Sequence, residues 1–194
     1  MKINLLFLIT TVWMAILISC KEEQPMAKPR GHVRLEYPKA HYQSFNQPEV
    51  PYSFDYNTFA EITPYSKKKY WYNIEYKKMK ATIYLSYFPI QNNLKLLLKD
   101  AEELLDTHTI KANSVNESQY NNPDKNVYGL ITRLGGETAS NIQFHFTDSI
   151  HHFLSGSLYF HTQPQPDSLK PAINYISKDI KHFAESLKWK NNPQ

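Results

Sequence analysis

Residues 71–105 read WYNIEYKKMKATIYLSYFPIQNNLKLLLKDAEELL, and the spacing of the apolar residues changes within this stretch. Apolar and polar residues alternate over 71–76 and 81–87, and this period of two predicts two strands. The polar pair Lys77-Lys78 between them predicts a hairpin turn. Over 94–108 the leucines recur every three or four positions, which predicts an amphipathic helix.

The same alternation predicts further strands at residues 52–56, 118–120, 127–134, 138–147 and 153–160. Gly135-Gly136 lies between two of these strands and predicts a two-residue turn, because glycine adopts positive φ at little cost. A second helix is predicted to begin at Asp167 or Ser168, with Pro171 in its first turn and helical spacing as far as Trp189. Strands in runs, with one helix in the middle and one at the end, predict an α+β fold in which two long helices cover a mostly antiparallel sheet.

The composition narrows the classes of function. The chain has 194 residues, a formal net charge of +4, a hydrophobic share of 41% and a single cysteine, Cys20. This length and hydrophobic share suit one globular domain and exclude an intrinsically disordered chain. One cysteine can form neither an internal disulfide nor a thiolate zinc site. The small net charge favours neither nucleic acid nor a membrane surface as a partner.

The N-terminal residues predict a lipoprotein signal peptide. Lys2 precedes an apolar run over 3–18 that is shorter than the roughly 20 residues a membrane-spanning helix needs. The run ends in Leu17-Ile18-Ser19-Cys20, which resembles the bacterial lipobox, where cleavage occurs just before the cysteine and its sulfur receives a diacylglyceryl group. We therefore expect residues 1–19 to be removed and Cys20 to carry a lipid anchor.

Prolines and polar residues divide the mature chain. Residues 20–31 predict a flexible tether after the acylated cysteine, and Pro38, Pro48 and Pro51 make 32–51 an extended segment. Residues 52–190 are expected to form a single α+β domain, followed by a polar tail at 191–194.

Histidines and an aspartate form the densest group of reactive side chains, His145, Asp148, His151 and His152, with His161 one strand later. A metal site would need three or four of these ligands to converge on one ion. Alternation along the strand places His145 opposite the phenylalanines, which predicts an imidazole facing solvent, and the residues from Asp148 to His152 predict a polar turn. We therefore expect no metal site, although an envelope hydrolase that uses this cluster remains an alternative.

Other catalytic motifs are weak. Ser155-Gly156-Ser157 lacks the G-x-S-x-G nucleophile elbow and lies inside a predicted strand. Five scattered glycines form no phosphate-binding loop. We expect no catalytic residue and no cofactor.

A basic and aromatic hairpin is a candidate binding surface. Tyr70, Trp71 and Tyr72 follow a run of lysines at 67–69 and precede further lysines at the turn. Rings and lysines together can bind single-stranded nucleic acid, but nucleic acid is not expected behind a signal peptide. A glycan or another envelope ligand is the alternative, and core packing of the tyrosines is the simpler interpretation.

Several strings, read in order along the mature chain, resemble one family. They are residues 28–31 (KPRG), 51–56 (PYSFDY), 83–87 (IYLSY), 92–94 (NNL), 108–112 (HTIKA), 139–144 (ASNIQF), 147–149 (TDS), 152–154 (HFL), 158–160 (LYF) and 166–169 (PDSL). Together with the lipobox, they make the chain similar to GldD, the gliding-motility lipoprotein of Bacteroidota. The order of elements also resembles the Mog1/PsbP-like arrangement.

The resemblance to GldD implies a function that periodicity alone does not give. It implies a non-enzymatic accessory lipoprotein of the outer membrane that supports gliding and the type IX secretion apparatus. Its expected partners are other gliding-motility lipoproteins and type IX components, with the membrane reached through the lipid anchor. Only Cys20 carries over as a functional residue. Glu22-Glu23 resembles the acidic export tag of surface-displayed lipoproteins, which leaves open which face of the membrane the domain occupies.

Overall fold

A computed structural model describes residues 37–162 and 166–190 of the chain. Its strands and α-helices, in chain order, are β1 Tyr42–Phe45, β2 Tyr52–Asn57, β3 Glu61–Pro64, β4 Tyr72–Tyr76, β5 Ala81–Pro89, α1 Leu94–Thr109, β6 Ala112–Asn122, β7 Val127–Gly136, β8 Ser140–Thr147, β9 His152–Phe160, α2 Pro166–Ser186 and β10 Lys188–Trp189. Short 3₁₀ turns at Lys77–Met79 and Pro123–Lys125 join β4 to β5 and β6 to β7. The alternating segments thus form strands, and the segment with helical spacing at 94–108 forms α1.

Antiparallel pairing builds two sheets. Seven strands form the main sheet in the order β3-β4-β5-β9-β8-β7-β6, and β1-β2-β10 form a smaller one. The predicted β4–β5 hairpin is confirmed, with Ile74 opposite Ile83. Lys80 closes its turn with φ of 50°. The α+β class, with a mostly antiparallel sheet and two long helices, is confirmed.

The two faces of the main sheet differ in chemistry, because successive side chains on a strand point to opposite faces. In β8, Ile142, Phe144 and Phe146 share one face, while Gln143 and His145 lie on the other. The apolar face packs against α2 and the small sheet. The polar face lies under α1. The domain therefore has one large apolar core and a second, more polar layer.

Aromatic rings from the main sheet, the small sheet and α2 fill the apolar core. Phe183 of α2 lies 4.4 Å from Phe54 of β2, 5.8 Å from Phe144 and 6.1 Å from Phe146, measured between ring centroids. Ile180, one turn earlier, is 1% exposed. Burying a large apolar side chain contributes about 1.5–3 kcal/mol, so this helix face stabilises the fold strongly.

Helix α1 covers its face of the sheet incompletely. Leu97 is its only buried residue. Leu96, Leu98 and Leu104 remain 56%, 37% and 40% exposed. The hydroxyl of Tyr159 on β9 lies 3.1 Å from Nε2 of His108 and connects the last turn of the helix to the sheet. The helix therefore sits over a polar surface without a closely packed apolar interface.

Three strands were not predicted. β1 pairs with β2, with Phe45 opposite Phe54, so part of the proline-containing segment 32–51 belongs to the folded unit. β3 pairs with β4. β10 pairs with β2, with Trp189 opposite Tyr52, where we expected helical spacing to continue. Helix α2 ends at Ser186 instead. These strands have four, four and two residues, which is too short for a clear alternation of apolar and polar residues. Each is recognised by its pairing with a longer strand.

Two predictions about local backbone geometry are wrong. Gly135 and Gly136 do not form the turn but end β7, and of the two only Gly136 has positive φ, at 98°. A Cβ at Gly136 would lie 2.8 Å from the Lys111 carbonyl oxygen, so glycine is needed for close approach to the start of β6. Helix α2 begins at Pro166, which places Pro171 inside the helix and not in its first turn.

Candidate functional site

His152 is buried, contrary to the prediction that it lies in an exposed polar turn. It is 5% exposed, and its Nδ1 lies 2.8 Å from the Tyr87 hydroxyl. Its ring stacks on Trp189 with 5.2 Å between centroids and 3° between planes. Burial lowers the pKa of His152, although the nearby Asp148 charge raises it in part. The histidine thus joins β9, β5 and β10 as part of the packing.

Asp148 organises the turn before β9. Its Oδ1 accepts backbone N–H bonds from Ile150, His151 and His152 at 3.0, 2.8 and 2.8 Å. Burial raises the pKa of this carboxyl, but the three backbone donors together lower it by more. The net shift of the Asp148 pKa is therefore downward. The exposed His151 lies 3.6 Å from Oδ2 of Asp148. The carboxylate therefore acts as a turn cap.

His145 and His161 lie apart from this turn. His145 stacks on Phe153 with 5.5 Å between centroids, and burial lowers its pKa. His145 is therefore half-buried beneath α1 and does not face open solvent as predicted. Nε2 of His161 lies 2.8 Å from the Thr82 hydroxyl. Within the part of the chain that the structure describes, no three His, Cys, Asp or Glu side chains are grouped as metal ligands would be.

Ser155-Gly156-Ser157 lies within β9, where Gly156 faces Phe144. A Cβ at this glycine would lie 2.1 Å from the Phe144 ring. The glycine therefore makes room for a core ring, and the sequence around it reflects packing.

Tyr70, Trp71 and Tyr72 use their polar atoms inside the fold. Trp71 Nε1 donates to the Tyr87 carbonyl at 2.9 Å, and the Tyr70 carbonyl accepts from the Tyr52 hydroxyl at 2.8 Å. Tyr72 is 8% exposed. Tyr70 also has φ of 67°. The rings of this hairpin mainly pack against β5 and the core.

A cavity of about 390 Å³ lies between α1 and the polar face of the sheet, and we call it the α1 cavity. Its size falls within the range of small-molecule sites, ~300–1,000 Å³. Its lining includes Leu98, Ala101, Glu102, Leu105, Asp106, Glu117, Leu130, Thr132, Gln143, His145 and Ser155. The helix thus contributes both apolar and acidic side chains, which face a largely polar floor.

The strand register places the floor residues side by side. Glu117 lies opposite Thr132, and Thr132 lies opposite Gln143. Next to this row, His145 lies opposite Ser155. Four neighbouring strands, β6 to β9, therefore contribute to one floor.

Gln143 is the least satisfied residue of this floor. It is 7% exposed, and its Nε2 has no hydrogen-bond partner among the described residues. A buried donor without an acceptor costs about 1–3 kcal/mol. Periodicity placed Gln143 beside His145 on a face assumed to be solvated, so its burial could not be anticipated without knowing that α1 covers that face.

The lipidation site and the acidic tag lie outside the described residues, as do Cys20, the signal peptide and the start of the tether. Within 37–162 and 166–190, neither helix combines the length and the apolar character required to cross a bilayer.

Comparisons with known proteins give a family and a similar fold for the chain. A family model described as gliding motility lipoprotein GldD matches residues 22–189. Among solved structures, the chain is similar to cyanobacterial PsbP (CyanoP) from Synechocystis sp. PCC 6803, with a TM-score of 0.50 and 10% identity over 85% of this chain and 99% of that chain. At this identity the similarity shows the fold alone, which is PsbP-like. No curated protein sequence matches the chain.

Proposed function

The chain belongs to the GldD family of gliding motility lipoproteins, and from this membership we propose that it is an outer-membrane accessory lipoprotein supporting gliding and the type IX secretion apparatus. The observation that carries the proposal is the family match, which extends from residue 22 to residue 189 and so includes almost every described residue. In a bacterium that does not glide, support of secretion is the role we expect.

The proposed anchor is the acylated Cys20. The lipobox Leu17-Ile18-Ser19-Cys20 supports it, as does the lipoprotein family. Two or three acyl chains on one residue suffice for stable membrane attachment. The domain would then be held at the envelope by lipid, with the first residues after Cys20 as a tether.

We further propose that the domain works by binding other gliding-motility lipoproteins. Support comes from β6, which is the outermost strand of the main sheet and 11 residues long. The edge strands of protein sheets often contain lysine or proline, which prevents pairing with another chain. β6 contains neither residue, and its one charged residue is Glu117. Ile110 and Val115 nearby are 83% and 48% exposed. An edge of this kind suits β-strand addition by a partner.

The proposed action is not catalytic. The histidines that an envelope hydrolase would need are separated into different local contacts: His152 with Tyr87, and His161 with Thr82. Ser157 is buried in the sheet. These arrangements favour structural roles for the residues that the sequence singled out.

A genetic experiment tests the proposed role. The gene is deleted, and cell spreading and type IX-dependent secretion are measured after complementation with the wild-type chain or with Cys20→Ala. We expect the deletion to abolish both activities, the wild type to restore them, and Cys20→Ala to fail. Full gliding and secretion in the deletion strain would refute the proposed role.

A further inference from the structure

We propose that the α1 cavity binds a small organic cation that also carries a hydroxyl or carbonyl group. The cavity lies between α1 and strands β6 to β9, and the inference does not depend on the gliding role. The argument rests on three properties of its lining: its charge, its apolar wall and the free donor of Gln143.

The charge of the lining favours a cation. Glu102 and Asp106 from α1 and Glu117 from β6 all line the cavity, and its lining includes no lysine or arginine. Within the described ranges, none of these three carboxylates takes part in an ion pair. Carboxylates grouped around one concave surface attract a positive charge and repel an anion.

His145 does not offset this negative charge at neutral pH. Its ring is stacked on Phe153, and burial lowers its pKa below the ordinary value of 6.5. The other titratable groups that face the cavity are the same three carboxylates. The lining thus keeps its acidic character.

The apolar wall and the polar floor indicate the uncharged parts of the ligand, its carbon skeleton and its oxygen acceptor. Leu98, Leu105 and Leu130 contribute aliphatic surface that suits the carbon skeleton of the ligand. On the floor, Gln143 is 7% exposed, and its Nε2 lacks an acceptor among the described residues. Nε2 itself is enclosed, so the Gln143 side chain has to turn toward the cavity before a ligand hydroxyl or carbonyl oxygen can accept this hydrogen bond and remove the cost of the unpaired donor.

These requirements exclude simpler occupants. A hydrocarbon would leave both the donor and the carboxylates unsatisfied, and an anion would face three like charges. An inorganic cation would use the carboxylates but not the leucine wall. An amine on a hydroxylated or carbonyl-bearing carbon skeleton uses all three properties.

Three probes separate these contributions. D-glucosamine has an amine and hydroxyls, 1,5-diaminopentane has amines and no acceptor oxygen, and D-glucose has hydroxyls and no charge. The full chain, purified in detergent, is titrated with each probe at pH 7.5, while the side-chain amide NMR signals of Gln143 are followed. Those signals are assigned by their loss in Gln143→Leu.

We expect D-glucosamine to shift the Gln143 signals saturably and to bind at least ten-fold more tightly than D-glucose. Gln143→Leu should weaken D-glucosamine binding and leave 1,5-diaminopentane binding unchanged. Glu102→Gln with Asp106→Asn should weaken both amines about ten-fold. Glu103→Gln is the matched control, because Glu103 lies on the same helix but pairs with Lys99 outside the cavity, and it should change nothing. Thermal unfolding of each variant without a probe verifies that it is folded.

Several results would overturn the proposal. They are the absence of saturable binding by either amine, equal binding of D-glucose and D-glucosamine, or an unchanged affinity in folded Glu102→Gln/Asp106→Asn. None of these results bears on gliding or secretion, which the deletion strain tests separately.

Discussion

The hydroxyl of Tyr76 donates a 3.0 Å hydrogen bond to Oδ2 of Asp179 and so connects the main sheet to α2 inside the core. Asn57 donates to the same oxygen at 3.0 Å, and Tyr42 donates to Oδ1 at 2.8 Å. Asp179 is 5% exposed. Burial and the neighbouring carboxylate raise the pKa of Tyr76 well above 10. One carboxylate thus accepts from three strands and fixes the position of the helix.

The first prediction concerns this carboxylate. Asp179→Ala would leave the buried donors of Asn57 and Tyr76 without this acceptor, and each unsatisfied buried donor costs about 1–3 kcal/mol. The exposed Tyr42 hydroxyl can bond to water instead. We expect a loss of about 3 kcal/mol in the free energy of unfolding, measured by urea denaturation. Lys178→Ala, at the exposed neighbouring position, is the control and should be nearly neutral. Equal stability of the two variants would contradict the role assigned to Asp179.

The second prediction concerns the buried face of α2. Ile176 and Ile180 are 0% and 1% exposed. An aspartate at Ile180 would place an unpaired carboxylate in the apolar core, and we expect it to cost about 4 kcal/mol or more out of a typical total of about 5–15 kcal/mol. Ile180→Asp should therefore reduce soluble protein sharply, whereas Lys178→Asp should accumulate normally. Similar abundance of both variants would show that this face is not part of the core.

The helix spacing and the strand alternation could be predicted from the sequence, because burying one face of a helix or strand produces a regular apolar pattern along the chain. The buried face of α2 and the β4–β5 hairpin follow directly from that regularity. By contrast, β10 has two residues and exists because Trp189 meets Tyr52 in the fold. Pattern alone cannot indicate a strand that is defined by its partner.

The α1 cavity could not be predicted from the sequence for a related reason. Gln143 and His145 alternate with buried apolar residues, which ordinarily means that they face water. The structure places α1 over them, yet the sequence does not say which sheet face receives which helix. A polar strand face has the same sequence pattern whether it faces water or lies under a helix. The burial of Gln143 therefore could not be predicted without the tertiary structure.

The third prediction concerns pH. Burial lowers the folded-state pKa of His145 and His152 below the unfolded value of about 6.5. Between the folded and unfolded values the unfolded chain binds more protons, so stability falls as the pH falls below about 6.5. We expect a lower urea midpoint at pH 5.5 than at pH 7.5, a window that stays above the titration of Asp148, whose pKa is lowered from 3.8.

Replacing His145 and His152 together tests that cause. His145→Gln with His152→Gln should reduce the difference between the two midpoints, even if the variant is less stable at both pH values. His41→Gln, at an exposed position, should retain the wild-type difference. A pH dependence that is identical in all three proteins would assign the effect to other groups.

The fourth prediction concerns the anchor. Cys20→Ala removes the sulfur that accepts the diacylglyceryl group, so the chain should lose palmitate labelling and remain an uncleaved precursor. Labelling with radioactive palmitate and gel mobility measure both effects. Ser19→Ala keeps a small residue before the cysteine and should be labelled and cleaved normally. Palmitate incorporation into Cys20→Ala would refute the lipoprotein anchor.

The most direct test of the central claim is recovery of partners. The tagged chain is crosslinked in living cells and purified, together with Ile110→Asp/Val115→Asp at the β6 edge and Ile150→Asp as a matched control. Ile150 is an exposed apolar residue, 65% accessible, on the turn before β9. We predict that wild type and Ile150→Asp recover other gliding-motility lipoproteins or type IX components, and that the double variant recovers several-fold less at equal abundance. Purification of a folded, anchored wild-type chain without any gliding or secretion component would contradict the account.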